Sequence, residues 1–171
     1  PGVAEKEFDA QPYEFLSRIY LLYEGQTPVE APEITDPRRS AGGGIGWIPR
    51  MGKMKQLPPW LTQKDLDYYV SEFKESGFRG GINYYRNSNR NWEITPQLTG
   101  ATVNQPVIFI AGQTDLVIAG QTAESLTAAM KPIVKDLRSV TVIPGAGHWI
   151  QQEKWQQVNG MLIDFLKDIP R

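Results

Sequence analysis

The sequence predicts an α/β fold, and three observations in its second half carry that prediction. Pro106 to Ala111, PVIFIA, is a continuous apolar and largely β-branched run, long enough for a strand buried on both faces and too short for a helix. From Glu124 to Leu137 the residues Leu126, Ala129, Met130, Ile133, Val134 and Leu137 fall at helical spacing. Val140 and Val142 then alternate as a short strand, which Pro144, Gly145 and Gly147 bring to an end. Strand, helix and strand in this order make parallel neighbours joined by a right-handed crossover. A last amphipathic helix from Glu153 to Ile169, with Trp155, Val158, Leu162, Phe165, Leu166 and Ile169 on its apolar face, covers the sheet.

This arrangement gives the two strand ends a chemical meaning. His148 is the only histidine in the chain and follows the second strand in a glycine-rich turn, PGAGHWI. The first strand ends in Gly112, Gln113, Thr114 and Asp115. Sites in open α/β sheets are built at the carboxyl ends of strands, so Asp115 and His148 share one edge. A carboxylate beside an imidazole fixes its tautomer and stabilises the imidazolium formed when the ring takes a proton. That is the orienting half of a nucleophile, base and acid triad, and acid before histidine is the chain order of the α/β-hydrolases.

The first hundred residues have a different character, helical and loop-rich with no convincing strand. Phe15, Leu16, Ile19, Tyr20, Leu22 and Tyr23 predict a helix from Pro12 to Tyr23 that Gly25 closes. Residues 26 to 60 hold six prolines and the run Gly42, Gly43, Gly44 and Gly46, which reads as a flexible flap. No Lys-Ser or Lys-Thr follows those glycines and no strand leads into them, so they do not make a phosphate cradle. Thr62 and Asp65 have capping-box spacing, and Leu66, Tyr69, Val70 and Phe73 line one face of a helix that runs to Gly77. Residues 77 to 92, GFRGGINYYRNSNRNW, bring glycines, paired tyrosines and arginine–asparagine repeats together. Tyr84 and Tyr85 are either packing aromatics with hydroxyls at a surface or donors to an oxygen that gains negative charge in a reaction. The predicted organisation is therefore two-part, residues 1–100 and residues 101–171, with no internal repeat.

Composition narrows the function. Eighteen basic and nineteen acidic residues leave a net charge of −1, and no basic cluster is interleaved with aromatics, so neither nucleic acid nor an anionic membrane surface is an expected partner. With no cysteine and one histidine, disulfides, thiol chemistry and a histidine- or thiolate-based metal site are not expected. No apolar run approaches the roughly twenty residues that span a bilayer, and no signal-peptide pattern opens the chain, which makes the cytoplasm the expected location. An opening at Pro1-Gly2 without methionine suggests a piece of a longer product.

Several segments together resemble one family. PGVAEKEF, SGFRGGINYYRN with Asn91-Trp92, AGQTD, and GAGHW followed by Gln152-Glu153 are similar, in that order and across the whole chain, to the cap and C-terminal half of soluble epoxide hydrolases of the α/β-hydrolase fold. The resemblance implies a helical cap in residues 1–100 and, in residues 101–171, the last strand–helix–strand–helix of an eight-stranded core sheet. It also implies a chemistry in which an aspartate nucleophile opens an epoxide to an ester, a histidine paired with a carboxylate activates the water that hydrolyses it, and two cap tyrosines donate to the epoxide oxygen. No cofactor takes part. By position His148 resembles the general base, Asp115 its partner and Tyr85 one of the two donors. Tyr84 stands where the family usually has tryptophan, and with Trp149, Leu116 and Val117 it resembles the pocket wall, although the last three read equally well as packing residues. The nucleophile, the oxyanion-hole motif and the second tyrosine belong to sequence that would precede Pro1, so the implied partner is the remaining half of the same fold. Two other functions fit the same residues: a dehalogenase with the same triad, and a non-catalytic binding or folding module.

Overall fold

The protein is described here by a computed structural model covering residues 2–21, 46–53, 56–118 and 120–169. By their contacts the described residues form two compact units, one reaching to Ile94 and the other starting at Thr95.

The first unit is helical. It holds α1 (Val3–Ala10), α2 (Pro12–Leu21), a 3-10 turn at Ile48–Arg50, α3 (Gln63–Ser76), α4 (Arg79–Arg86) and α5 (Ser88–Ile94). Helix α2 starts at Pro12, where the missing N–H leaves no intrahelical bond unmade; its predicted end near Gly25 lies outside the described residues. Helix α3 has the predicted boundaries. The Thr62 hydroxyl accepts from the Asp65 N–H at 3.2 Å while the Asp65 carboxylate accepts from the Thr62 N–H at 3.1 Å. Gly77 closes the helix in the left-handed region (φ 67°), its N–H donating to the Phe73 carbonyl at 2.9 Å.

Helices α2 and α3 pack on each other, around a core of Phe8, Phe15, Leu16, Ile48, Met51, Leu66, Val70 and Phe78. Phe8 stacks on Phe15 with centroids 3.8 Å apart, and Phe78 meets both edge-on at 5.6 and 5.1 Å. Burial of each such side chain is worth about 1.5–3 kcal/mol, so these aromatics account for much of the unit's cohesion. Ile48 and Met51 belong to this core, which corrects the expectation of a flap for their part of residues 26–60. An apolar side chain every third residue turns that stretch inward in spite of its prolines. The glycine run Gly42–Gly44 lies outside the described residues.

The carboxylates of α1 fasten other segments to it. Glu7 accepts the N–H groups of Trp47 and Ile48, each at 2.8 Å. Asp9 accepts the N–H of Phe78 at 3.0 Å. Glu5 takes both branches of the Arg86 guanidinium, and that pairing holds its carboxyl at about 2, far below the ordinary carboxylate range.

The second unit contains a 3-10 turn at Pro96–Leu98, β1 (Val103–Gly112), α6 (Ala123–Met130), β2 (Val134–Ile143), the short α7 (Ile150–Glu153) and α8 (Trp155–Lys167). The strands are parallel, as predicted, and their register sets Ile110 against Thr141, Ala111 against Val142 and Gly112 against Ile143. Period-two alternation divides their side chains between two faces. Phe109, Ala111, Val140 and Val142 pack with Ile118 and with Leu126 of α6. Ile110 and Ile143 pack with Ala146, with Ile150 of α7 and with Val158 of α8. One helical layer on each face is the α/β arrangement the sequence predicted.

Two expectations are corrected here. The helix predicted from Glu124 to Leu137 stops at Met130, and Val134 and Leu137 lie in β2. Pro132 is the cause: Lys131 still has helical dihedrals, but the proline ring crowds the preceding turn and offers no N–H to continue the ladder, so the apolar residues after it join a strand. Strand β1, predicted to be buried on both faces, is exposed at its start, half-buried through its middle and buried only at Ala111 and Gly112. Among the described residues it pairs with β2 alone, and two strands are too narrow a layer for α6 and α8 to enclose.

Candidate active site

The site is built where β1 and β2 end side by side. Beyond the last register pair the chains remain stitched, with the Gln113 N–H donating to the Ile143 carbonyl at 3.0 Å. The Thr114 N–H and hydroxyl both donate to the Ala146 carbonyl, again at 3.0 Å. Gly112 lies directly under this turn. A Cβ there would sit 2.1 Å from the Gly147 carbonyl oxygen and 2.5 Å from that of Ala146, backbone atoms that cannot swing aside. Gly112→Ala should therefore lift the 146–147 turn and cost about 1–3 kcal/mol of stability, the usual penalty of overpacking. Denaturant unfolding of the variant measures it, and an unchanged midpoint would show that the turn yields freely.

Asp115 follows immediately. Its N–H donates to the Gly112 carbonyl at 3.1 Å, turning the chain so that the side chain points back towards β2. Oδ1 accepts the Val117 N–H at 2.8 Å, a side-chain turn of the kind aspartate favours, and lies 3.0 Å from Nδ1 of His148. The Asp115 side chain is 12% exposed and that of His148 36%, so the carboxylate is sheltered and the imidazole reaches solvent. An ionised carboxylate only accepts, which assigns the ring proton to Nδ1 and the lone pair to Nε2. An imidazole so held can take a proton at Nε2 while the carboxylate stabilises the cation that results.

Trp149 follows His148, their rings meeting edge-on at 4.9 Å. Leu116 and Val117 are exposed, on the turn that Asp115 shapes. Tyr84 and Tyr85 belong to the first unit, on α4, where both are about four-fifths exposed with their rings 5.8 Å apart. Arg86, next in sequence, ties this helix to Glu5 of α1. A groove in the second unit lined by Pro106, Ile108, Arg138, Met161 and Phe165 contains none of the predicted site residues. Among the described residues no three histidine, aspartate or glutamate side chains gather as metal ligands, and no helix is long and apolar enough to cross a membrane.

Sequence reasoning gave Glu153 no role beyond its place after GAGHW. Its carboxylate accepts the Gly147 N–H at 2.6 Å and the Trp149 N–H at 2.9 Å, the two amides that flank His148. The signal for it was an acidic residue five positions after the histidine and at the start of the predicted last helix, which is too common a pattern to stand out.

No protein-family profile matches the chain. Curated proteins do. It is 38% identical over 166 residues to epoxide hydrolase A of Mycobacterium tuberculosis, covering 97% of this chain and 49% of that protein. It is 40% identical over 168 residues to epoxide hydrolase 3 of Siraitia grosvenorii, covering 97% and 50%. Among solved structures, epoxide hydrolase A from Mycobacterium thermoresistibile superposes with a TM-score of 0.79 at 37% identity, over 99% of this chain and 50% of that one. An epoxide hydrolase from an endophytic Streptomyces gives 0.80 at 32% identity, over 98% and 49%. The chain thus spans about half the length of the relatives it matches.

Proposed function

As a homologue, over nearly its whole length, of about half of an epoxide hydrolase, and with a partial α/β-hydrolase fold, this chain is one from which we propose a specific contribution to epoxide opening. In this reading it belongs to an enzyme that converts epoxides to vicinal diols through a covalent aspartyl ester. The nucleophilic aspartate and the oxyanion donors lie outside the 171 residues, in the half of the relatives that the chain does not cover. Residues 1–100 act as the cap and residues 101–171 as the end of the catalytic core, in the cytoplasm.

The reaction has two steps. A carboxylate oxygen of the nucleophile attacks an epoxide carbon, the carbon–oxygen bond breaks, and Tyr85, with a second tyrosine outside this chain, supports the alkoxide with a hydrogen bond and a proton. Water then gives a proton to Nε2 of His148 as its oxygen attacks the ester carbonyl. The tetrahedral intermediate collapses to the carboxylate and the diol, whose leaving oxygen takes one proton of the attacking water, while the other, held on His148, returns through solvent to the tyrosine that gave its own. Throughout this second step Asp115 holds the ring and balances its positive charge. Tyr84, Trp149, Leu116 and Val117 form part of the pocket wall. The observation that carries the reading is the 3.0 Å pair between His148 and Asp115 at the paired strand ends, in a chain whose relatives bear the name epoxide hydrolase.

The reading separates the two steps between two parts of a protein, and that separation is testable. Purified 171-residue chain should show no multiple turnover of styrene oxide, because no residue within it supplies the nucleophile. Joined to the remaining half of its own coding sequence, here called the completed enzyme, it should. Turnover by the isolated chain that His148→Ala abolishes would refute the division.

A further inference from the structure

We infer that Glu153 is a positioning residue for His148, acting on the ring through the backbone on both sides of it; the catalytic meaning of this rests on His148 being the base proposed above. His148 stands in a turn that begins after Ile143, and its ring meets Asp115 and the edge of Trp149, contacts that orient the imidazole only if the backbone carrying it is held. Glu153 supplies the rest. One carboxylate oxygen takes the Gly147 N–H at 2.6 Å and the other the Trp149 N–H at 2.9 Å, so the residue spans His148 like a brace.

The brace is itself anchored. Glu153 ends α7, whose first turn hydrogen-bonds back to the Trp149 carbonyl through the N–H groups of Gln152 and Glu153, at 2.8 and 2.9 Å. Ile150 of the same turn is buried against Ile143 and Val158. From the other side Gly112 meets the carbonyls of Ala146 and Gly147, and Thr114 holds Ala146 with two bonds. The turn is therefore gripped at 146 by the end of β1 and at 147 and 149 by Glu153, which leaves His148 between two fixed points. Bonds from an ionised carboxylate to backbone N–H groups are about twice as strong as neutral ones, so the grip depends on the charge as well as the shape of Glu153.

The test uses the completed enzyme with labelled histidine. Glu153→Ala should slow ester hydrolysis about a hundredfold, the cost of misplacing a reacting group by about an ångström, and leave ester formation, which does not use His148, at the wild-type rate. The nitrogen-15 resonances of the His148 ring should at the same time lose the Nδ1–H tautomer. Glu153→Gln keeps one acceptor oxygen but turns an amino group towards an N–H, so it should lie between the two in both readouts. It also decides the matter if Glu153→Ala does not fold. Wild-type tautomer signals in both variants, or an equal fall in both chemical steps, would overturn the proposal. His148→Gln, run in parallel, tests the base role separately: should that variant hydrolyse the ester normally, the base assignment fails, whereas the tautomer signals still report whether Glu153 holds the ring.

Discussion

Replacing His148 with Gln in the completed enzyme should stop the reaction at the ester, so that mass spectrometry of protein mixed with an epoxide finds one covalently bound substrate per chain. Glutamine has nearly the reach of histidine and keeps a polar atom near Asp115, but it cannot take a proton from water. The first step does not call on the ring and should run at its normal rate. The second loses general-base assistance, which is worth roughly two to four orders of magnitude. Asp115→Asn should slow the same step, because an amide can present its NH2 to Nδ1 and turn the imidazole to the wrong tautomer. The adduct then accumulates because it forms faster than it decays. A His148→Gln enzyme with wild-type steady-state turnover would remove the ring from the mechanism.

What the sequence revealed of this site and what it hid have a common physical origin. The strand ends were legible because they depend on local pattern: an apolar run too short for a helix, then glycine, then an acid. The 3.0 Å pair of Asp115 and His148 follows from two such patterns meeting in a parallel register. Helix α3 was legible for the same reason, since Thr62 and Asp65 mark its start and Gly77 its end, each by a local rule. The end of α6 was misread because apolar spacing runs on through Ile133, Val134 and Leu137, while one residue, Pro132, forbids the helix that the spacing suggests. Periodicity is a sum over many weak preferences, and a single missing N–H with a steric clash outweighs it.

Long-range braces lay beyond such patterns. Glu5, Glu7 and Asp9 carry no signal of their own in the sequence, yet they reach Arg86, the amides of Trp47 and Ile48, and that of Phe78. In each case the partner is an N–H group or a cation chosen by the tertiary path of the chain, which no spacing rule encodes. The bond between Glu5 and Arg86 also joins PGVAE to GGINYYRN, the two segments that set this resemblance apart from α/β-hydrolases at large. It gives them a physical connection: the first helix fixes the one that carries Tyr84 and Tyr85.

Tyr85→Phe in the completed enzyme should slow epoxide opening by a hundred- to a thousandfold, since losing a preorganised donor to a developing oxyanion typically costs about 3 to 4 kcal/mol. The substitution removes a single hydroxyl from a residue that is four-fifths exposed on α4, so the fold should be little disturbed. The size of the loss depends on the second tyrosine of the proposed pair, and partial compensation by it would leave roughly a tenfold effect, equivalent to about 1.4 kcal/mol. The same variant separates epoxide hydrolysis from dehalogenation. An opening epoxide generates an alkoxide that needs a proton, whereas a halide departs as a stable anion and needs none. The decisive measurement is the single-turnover rate of ester formation, taken with an epoxide and separately with a haloalkane. Ring opening that is indifferent to Tyr85→Phe, in an enzyme that cleaves carbon–halogen bonds faster than it opens epoxides, would replace the epoxide reading with the dehalogenase one. A loss confined to the epoxide would assign the Tyr85 hydroxyl to the oxygen that the ring releases.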